Sequence, residues 1–518
     1  MSHSSLLLIH NLLNSKQVGE NYFTIIPLED GFTFNMSGSN TYELEYRINN
    51  IGTWETLTSN GSDTINKGSV IHVRGSLNNV DKENCNIFNF TKQCKVKGNI
   101  MSLLYKNDFE DSVLKENAFI KLFYNCDNLI DASELSLPNN ELYSGCYAYM
   151  FEKCDNLINA PKLPAKKLAS YCYRYMFADC ISLTTAPELP ATNLQTTDSY
   201  GESIECSYQY MFSGCTSLTT VPNISAKYFG VNSCSYMFYG CTSLTKLEQS
   251  TLTHSTGIVE NYCCSYMFAK CSSLTTAPKL ETTSMSQYCY QGMFENCSSL
   301  TSAPTLDSTS LDVGCYKSMF NSCNKLTKSV KLPAIIASNY CYQSMFENCT
   351  RLTTALTISA RGVTISSFQD MFKGCTSLTS VQSTLSATSL EDAENCYYGM
   401  FEGCTSLTTA PALPATALAS SCYTRMFMGC TSLTTAPELP ASDIKFSFCY
   451  RRMFYGCSKL NYIKMLATDI ISTRQALDNW VSGVASSGTF VKHTSISEST
   501  IGRGASGIPN GWNVTSSN

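Results

Sequence analysis

Apolar side chains recur along the middle of this chain at intervals close to 26 residues. A Met-Phe pair followed three residues later by cysteine stands at Met150, Met176, Met211, Met237, Met267, Met293, Met319, Met345, Met371, Met400, Met426 and Met453. A period of that length marks stacked repeat units, each too small to close a core of its own. An eroded copy, Leu122, Phe123, Cys126 and Leu129, comes first, as suits a terminal unit with one unlike neighbour. In the cleanest copy Leu168, Cys172 and Met176 fall at i, i+4 and i+8, which predicts a short helix. The Thr-rich stretch after Leu183 favours an extended strand, and Pro187 and Pro190 forbid helix beyond it. Stacking such copies predicts an α/β solenoid of about 13 repeats of about 26 residues. Its short strands are expected to form one continuous parallel sheet, roughly 4.8 Å apart.

The flanks differ in pattern. Residues 20–98 carry β-rich runs at 22–26, 32–35, 42–47, 70–74 and 87–90, separated by Gly, Asn, Asp and Ser, and read as a small antiparallel β-domain of sandwich-like type. The expected organisation is an arm at 1–19, that β-domain, a junction at 99–116, the repeats at 117–466 and a cap at 467–518. Within the cap, 476–484 has a helical pattern and 489–492 a strand pattern, with Trp480 and Trp512 placed to cover the last unit.

Composition narrows the function. A formal charge of -5 and the lack of any Lys/Arg cluster argue against nucleic acid. No apolar run approaches 20 residues, so no membrane insertion is expected. Residues 1–17 lack a basic start and a small-residue cleavage site and do not read as a secretory signal. Of 27 cysteines, thirteen sit three after the Phe and nine sit four before the Met. Cysteine at fixed repeat positions behaves as a small buried hydrophobe. No paired Cys-x-x-Cys knuckles occur, so neither metal nor cofactor is expected. The five histidines are scattered, and no nucleophile elbow, phosphate loop or His-Glu-x-x-His motif marks a catalytic centre.

Recognition is expected on the surface. The residue after the unit's Leu is Thr from Thr184 to Thr434 in ten copies, giving one threonine-lined face. Three copies are longer than the rest, and the extra length always precedes the Met-Phe segment, so it projects from one edge. The binding candidates on that edge are Asp198, Tyr200 and Glu202, then His254 and Glu260, then Glu391, Asp392 and Glu394. Aromatic rings beside carboxylates can stack on a sugar face and accept its hydroxyls.

The unit from Cys422 to Pro440, with its Cys-Tyr-x-x-Met-Phe-x-Gly-Cys-Thr-Ser-Leu core, resembles BspA-type leucine-rich repeats of surface proteins of gut anaerobes and their tailed phages. That resemblance implies a leucine-rich-repeat solenoid and a non-enzymatic role in adhesion and host-surface contact. Combined with the missing export signal, it points to a phage virion component on a tail, fibre or capsid. The β-domain is then expected to dock to other virion or surface proteins, and the repeats to meet host-surface glycan or protein. A bacterial cell-surface adhesin and, more remotely, a glycan-acting enzyme stand as alternatives.

Overall fold

The computed structural model describes residues 21–38, 42–77, 85–109, 112–137, 141–194, 205–247, 260–280, 285–355, 357–381, 385–470 and 475–518. These fall into two compact units, the first covering 1–226 and 237–244 and the second 227–236 and 245–518.

The first unit opens with eight strands: β1 (Phe23–Pro27), β2 (Phe34–Ser37), β3 (Tyr42–Ile48), β4 (Glu55–Thr56), β5 (Ile71–Leu77), β6 (Ile87–Phe90), β7 (Cys94–Asn99) and β8 (Leu129–Ser136). Six form a sheet in the order β4-β3-β5-β1-β7-β8, while β2 pairs with β6. All neighbours are antiparallel except β7 and β8, which run parallel. Because β8 belongs to the eroded repeat copy, the β-domain passes into the repeats through backbone: Phe88 N–H donates to Leu122 O at 2.8 Å and Cys94 N–H to Asn128 O at 2.9 Å. Side chains follow the same path, with ring centroids of Phe88 and Phe123 5.7 Å apart and of Phe123 and Phe151 5.2 Å apart.

The expected helix around Met176 does not form. Tyr171, Tyr173, Tyr175 and Asp179 have φ of 62°, 57°, 55° and 58°, so right- and left-handed residues alternate. Arg174, Met176 and Cys180 donate their N–H groups to carbonyls three residues back, at 3.1 to 3.3 Å. Tyr175, Phe177 and Asp179 donate instead to Gln209, Met211 and Ser213 of the next copy, at 2.7 to 3.0 Å. A helix commits its interior donors to carbonyls four residues back in its own segment. Here the neighbouring copy sits in register and claims every second one. Each left-handed non-glycine residue costs about 1–2 kcal/mol, offset by those inter-copy bonds. The cap segment expected to be helical, 476–484, forms the same kind of ribbon, with Gln475 and Asn479 at φ of 52° and 50°. Among the described residues the α-helices are single turns, Ser102–Tyr105 and Glu498–Ile501.

The parallel pairing is present but sparse. In place of a continuous sheet, copies meet at single bridges such as Thr276 with Ser302 and Leu280 with Leu306, or at two-residue strands such as Thr354–Ala355 with Ser380–Val381. Prolines in this stretch lack the N–H that a longer ladder needs. Stability comes mainly from three buried columns. Met and Phe of every copy are 0–1% exposed, with the Phe rings of adjacent copies stacked, for example Phe294 on Phe320 at 5.8 Å and Phe320 on Phe346 at 5.4 Å. The cysteine column is more than filler. Cys180, Cys297 and Cys349 donate their thiols to the Phe carbonyls of the preceding copies, Phe151, Phe268 and Phe320, at 3.0, 3.1 and 3.1 Å.

In the second unit the final copy is closed by the C-terminal segment. Trp480 packs on Tyr450 and Phe454, with centroids at 6.5 and 6.1 Å, and its indole N–H donates to Gly507 O at 2.9 Å. Trp512 donates likewise to Ala485 O at 2.7 Å. Asn479 and Val481 hand their N–H groups to Ser506 Oγ and Ala505 O, so the C-terminal segment takes two donors that a next copy would otherwise take. No helix among the described residues is long and apolar enough to cross a membrane.

Candidate ligand-binding surface

With Met, Phe and Cys committed to the interior, ligand contact falls to the outward slots. The threonine face proves largely self-occupied. Thr219 donates its hydroxyl to Thr184 O at 3.2 Å in the first unit; in the second, Thr275, Thr301, Thr353 and Thr379 donate to Thr245, Thr275, Thr327 and Thr353 at 3.0 to 3.2 Å. Those hydroxyls support the stack and keep only lone pairs free for a partner.

The edge candidates divide. Asp198, Tyr200, Glu202 and His254 lie outside the described residues. Glu260 is half-buried, and its N–H donates to Phe229 O at 2.9 Å. Glu391, Asp392 and Glu394 are exposed on one turn, held by Ala393 N–H to Leu390 O at 2.9 Å, with Asp392 at φ 61°. That turn gathers three carboxylates; Glu260 belongs to an earlier copy.

Sequence reasoning passed over the slot just before each Met. It reads Tyr149, Tyr175, Tyr210, Tyr236, Tyr266, Gly292, Ser318, Ser344, Asp370, Gly399, Arg425 and Arg452. In the first unit it is an outward tyrosine column, Tyr149 on Tyr175 at 5.0 Å and Tyr175 on Tyr210 at 4.5 Å. Cations flank it: the Arg174 guanidinium lies 5.4 Å from the Tyr175 ring, and Lys121 Nζ 5.8 Å from Tyr149. Both are within cation–π reach. Tabulating the column by repeat slot would have exposed it.

In the second unit the same slot joins an ionic ledge. Lys373 Nζ sits 3.6 Å from both Glu347 and Asp370, and Arg425 donates to Glu402 Oε1 at 2.7 Å. Burial pushes the carboxyls of Asp370 and Glu402 above the usual range, Lys373 and Arg425 pulling the other way. Other perturbed groups are structural. Desolvation, with Arg47 and Lys97 nearby, holds His72 down to about 4, and the neutral ring contacts Thr24 Oγ1 at 3.0 Å. All 27 cysteines are buried and none forms a disulfide, and burial pushes the Cys349 thiol up to about 12, which makes it a poor nucleophile.

The profile of the BspA type leucine-rich repeat region matches residues 110–201, 288–433 and 369–479, as six copies. The chain belongs to the BspA-type leucine-rich-repeat family. A second profile, described as a Mycoplasma protein of unknown function, DUF285, matches residues 206–332, which overlap the second of those segments at 288–332. No curated protein and no solved structure matches the chain. Membership in the BspA-type family is consistent with a surface and binding protein, and with the division seen here between a packed interior and variable outward slots.

Proposed function

We propose that this BspA-type chain is a non-enzymatic structural and binding protein, a phage virion component on a tail, fibre or capsid. Its repeats wind as a solenoid of about thirteen coils that displays a recognition surface to host-surface glycan or protein. The β-domain is the part that docks to other virion proteins. What carries the reading is the allocation of side chains: the recurrent Met, Phe and Cys are spent on packing, while the slot just before each Met varies from copy to copy and lies at the surface in the tyrosine column. Variation confined to an ordered surface is how repeat proteins bind. Recognition through the projecting edge, including the exposed turn at Glu391, Asp392 and Glu394, belongs to the same reading.

Mass spectrometry of purified phage particles, paired with binding of the purified full chain to host cells, tests it. The chain should appear at stoichiometric level in particles and should bind cells. Absence from particles combined with recovery in the cell-envelope fraction would favour the bacterial adhesin instead.

A further inference from the structure

Resting on the binding reading above, we propose a specific pocket for an acidic sugar residue in the first unit, walled by Tyr149 and Tyr171 with Arg174 as the anion contact. A cavity of about 350 Å³ opens there, lined also by Asn117, Ser144 and Gly145. That is at the small end of ligand pockets, roughly 300–1,000 Å³, and suits one or two sugar rings. The slot five before Met varies along the array, with Tyr171, Tyr262, Tyr288 and Tyr340 in some copies and Gly145, at φ 70°, in this one. The Asn117 amide packs where a side chain at Gly145 would stand, and the Tyr171 ring, 39% exposed, lines the cavity.

The chemistry converges on one ligand class. Arg174 lies between two phenol rings, its guanidinium carbon 5.6 Å from Tyr171 and 5.4 Å from Tyr175. Its Nε is buried without a hydrogen-bond partner, and no carboxylate among the described residues forms an ion pair with it. Nearby Glu205 is turned to the Tyr171 hydroxyl at 3.5 Å instead. A guanidinium held by ring stacking and left unpaired is suited to a planar carboxylate through two parallel hydrogen bonds. Phenol faces suit the C–H face of a pyranose, and the Asn117 amide, Ser144 hydroxyl and Glu205 carboxylate suit its hydroxyls. A uronate residue combines all three features. A neutral sugar leaves the arginine without its anion; a phosphopeptide leaves the ring faces empty.

Titration calorimetry of the full chain with a tetrasaccharide of alternating glucuronate and N-acetylglucosamine, with its carboxyl-reduced analogue and with a phosphoserine peptide, decides the matter. The acidic tetrasaccharide should bind, the reduced form much more weakly. Arg174→Gln should weaken binding by roughly ten- to a hundredfold, the value of a charged hydrogen bond, with an unchanged melting transition. Tyr171→Ala should weaken it by about tenfold through lost stacking, and Arg174→Lys should recover part of the loss. Equal affinity for the reduced sugar, preference for the phosphopeptide, or wild-type affinity in Arg174→Gln would overturn the pocket. Should the parent bind host cells and Arg174→Gln bind them equally, the pocket fails while the surface reading stands; if the parent takes the acidic sugar yet ignores cells, the reverse holds.

Discussion

The slot before the Met-Phe pair is a stacked tyrosine column from Tyr149 to Tyr210 in the first unit and at Tyr236 and Tyr266 in the second, but an ionic ledge around Asp370 and Arg425 in the later copies of the second. Behind both lie the same Phe and Cys columns with nearly the same spacing, 5.3 Å for Phe151 on Phe177 and 5.4 Å for Phe320 on Phe346. One scaffold therefore tolerates two opposed surface chemistries. The interior is constrained by contact with both neighbouring copies, whereas an outward slot need only satisfy water and whatever it binds.

The sharpest test of that equivalence is to cut the interior in each unit. Phe151→Ala and Phe320→Ala should each cost about 3–5 kcal/mol, as for other large aromatic deletions from close-packed cores. Amide exchange should accelerate in the copies next to the cavity and leave distant ones protected, because each copy touches only its neighbours. A large loss for one and a trivial loss for the other would mean the two interiors are not equivalent after all.

Smaller, and again equal in both units, is the contribution of the thiol column. Cys180→Ala and Cys349→Ala should each destabilise by about 1–2 kcal/mol, since each leaves a cavity and removes one of the two hydrogen bonds accepted by the carbonyl of Phe151 or Phe320, which keeps its bond from the Cys154 or Cys323 N–H. The folded chain should resist thiol reagents at pH 8 and release all 27 thiols on denaturation without reductant.

How much of this was legible in the sequence depends on which partner a group has. The repeat, its buried Met, Phe and Cys, and the β-runs later seen as β1, β2, β3, β5 and β6 follow from local periodicity alone. β7 was missed because Lys95 and Lys97 interrupt its apolar run and because its second partner, β8, lies 30 residues on in the first repeat copy. The helix expected at Leu168, Cys172 and Met176 failed for a related reason. Four-residue spacing reports one buried face, and a ribbon of alternating handedness presents that face as well as a helix does. What decides between them is the copy next door. The tyrosine column was equally hidden in a linear reading, since its members are 26 to 35 residues apart and only register brings Tyr149, Tyr175 and Tyr210 together.

The ionic ledge should make the second unit respond to pH in a way the tyrosine column does not. Asp370 and Glu402 have carboxyls raised by burial, with Lys373, Glu347 and Arg425 as their charged neighbours. A carboxyl whose value is higher folded than unfolded binds its proton more tightly in the folded state. Stability from this source is therefore full below the unfolded value and is lost as pH rises through the folded one. Denaturant melts followed by exchange at the Met371 and Met400 copies should show stabilisation on lowering the pH from 7 to about 5, and Asp370→Asn should flatten that response. A profile unchanged by the substitution would mean that Lys373 already offsets the burial of Asp370.

The smallest expected effect concerns the inner tyrosine column, where the two units should again agree. Tyr147, Tyr173 and Tyr342 are buried with hydroxyls that have no hydrogen-bond partner, and burial pushes all three well above the ordinary phenol range. Phe368 already occupies the same slot in a neighbouring copy, stacked on Tyr342 at 5.2 Å, so the column does not require the oxygen. Removing an unsatisfied buried hydroxyl relieves its desolvation cost and leaves a space too small for a methyl group. Tyr173→Phe and Tyr342→Phe should therefore be neutral or stabilising by up to about 1 kcal/mol. Thermal melts of the two variants check this. A loss above about 1 kcal/mol in either would mean that the hydroxyl holds an ordered water, which would make the column a wet seam and distinguish it from the dry Phe stack.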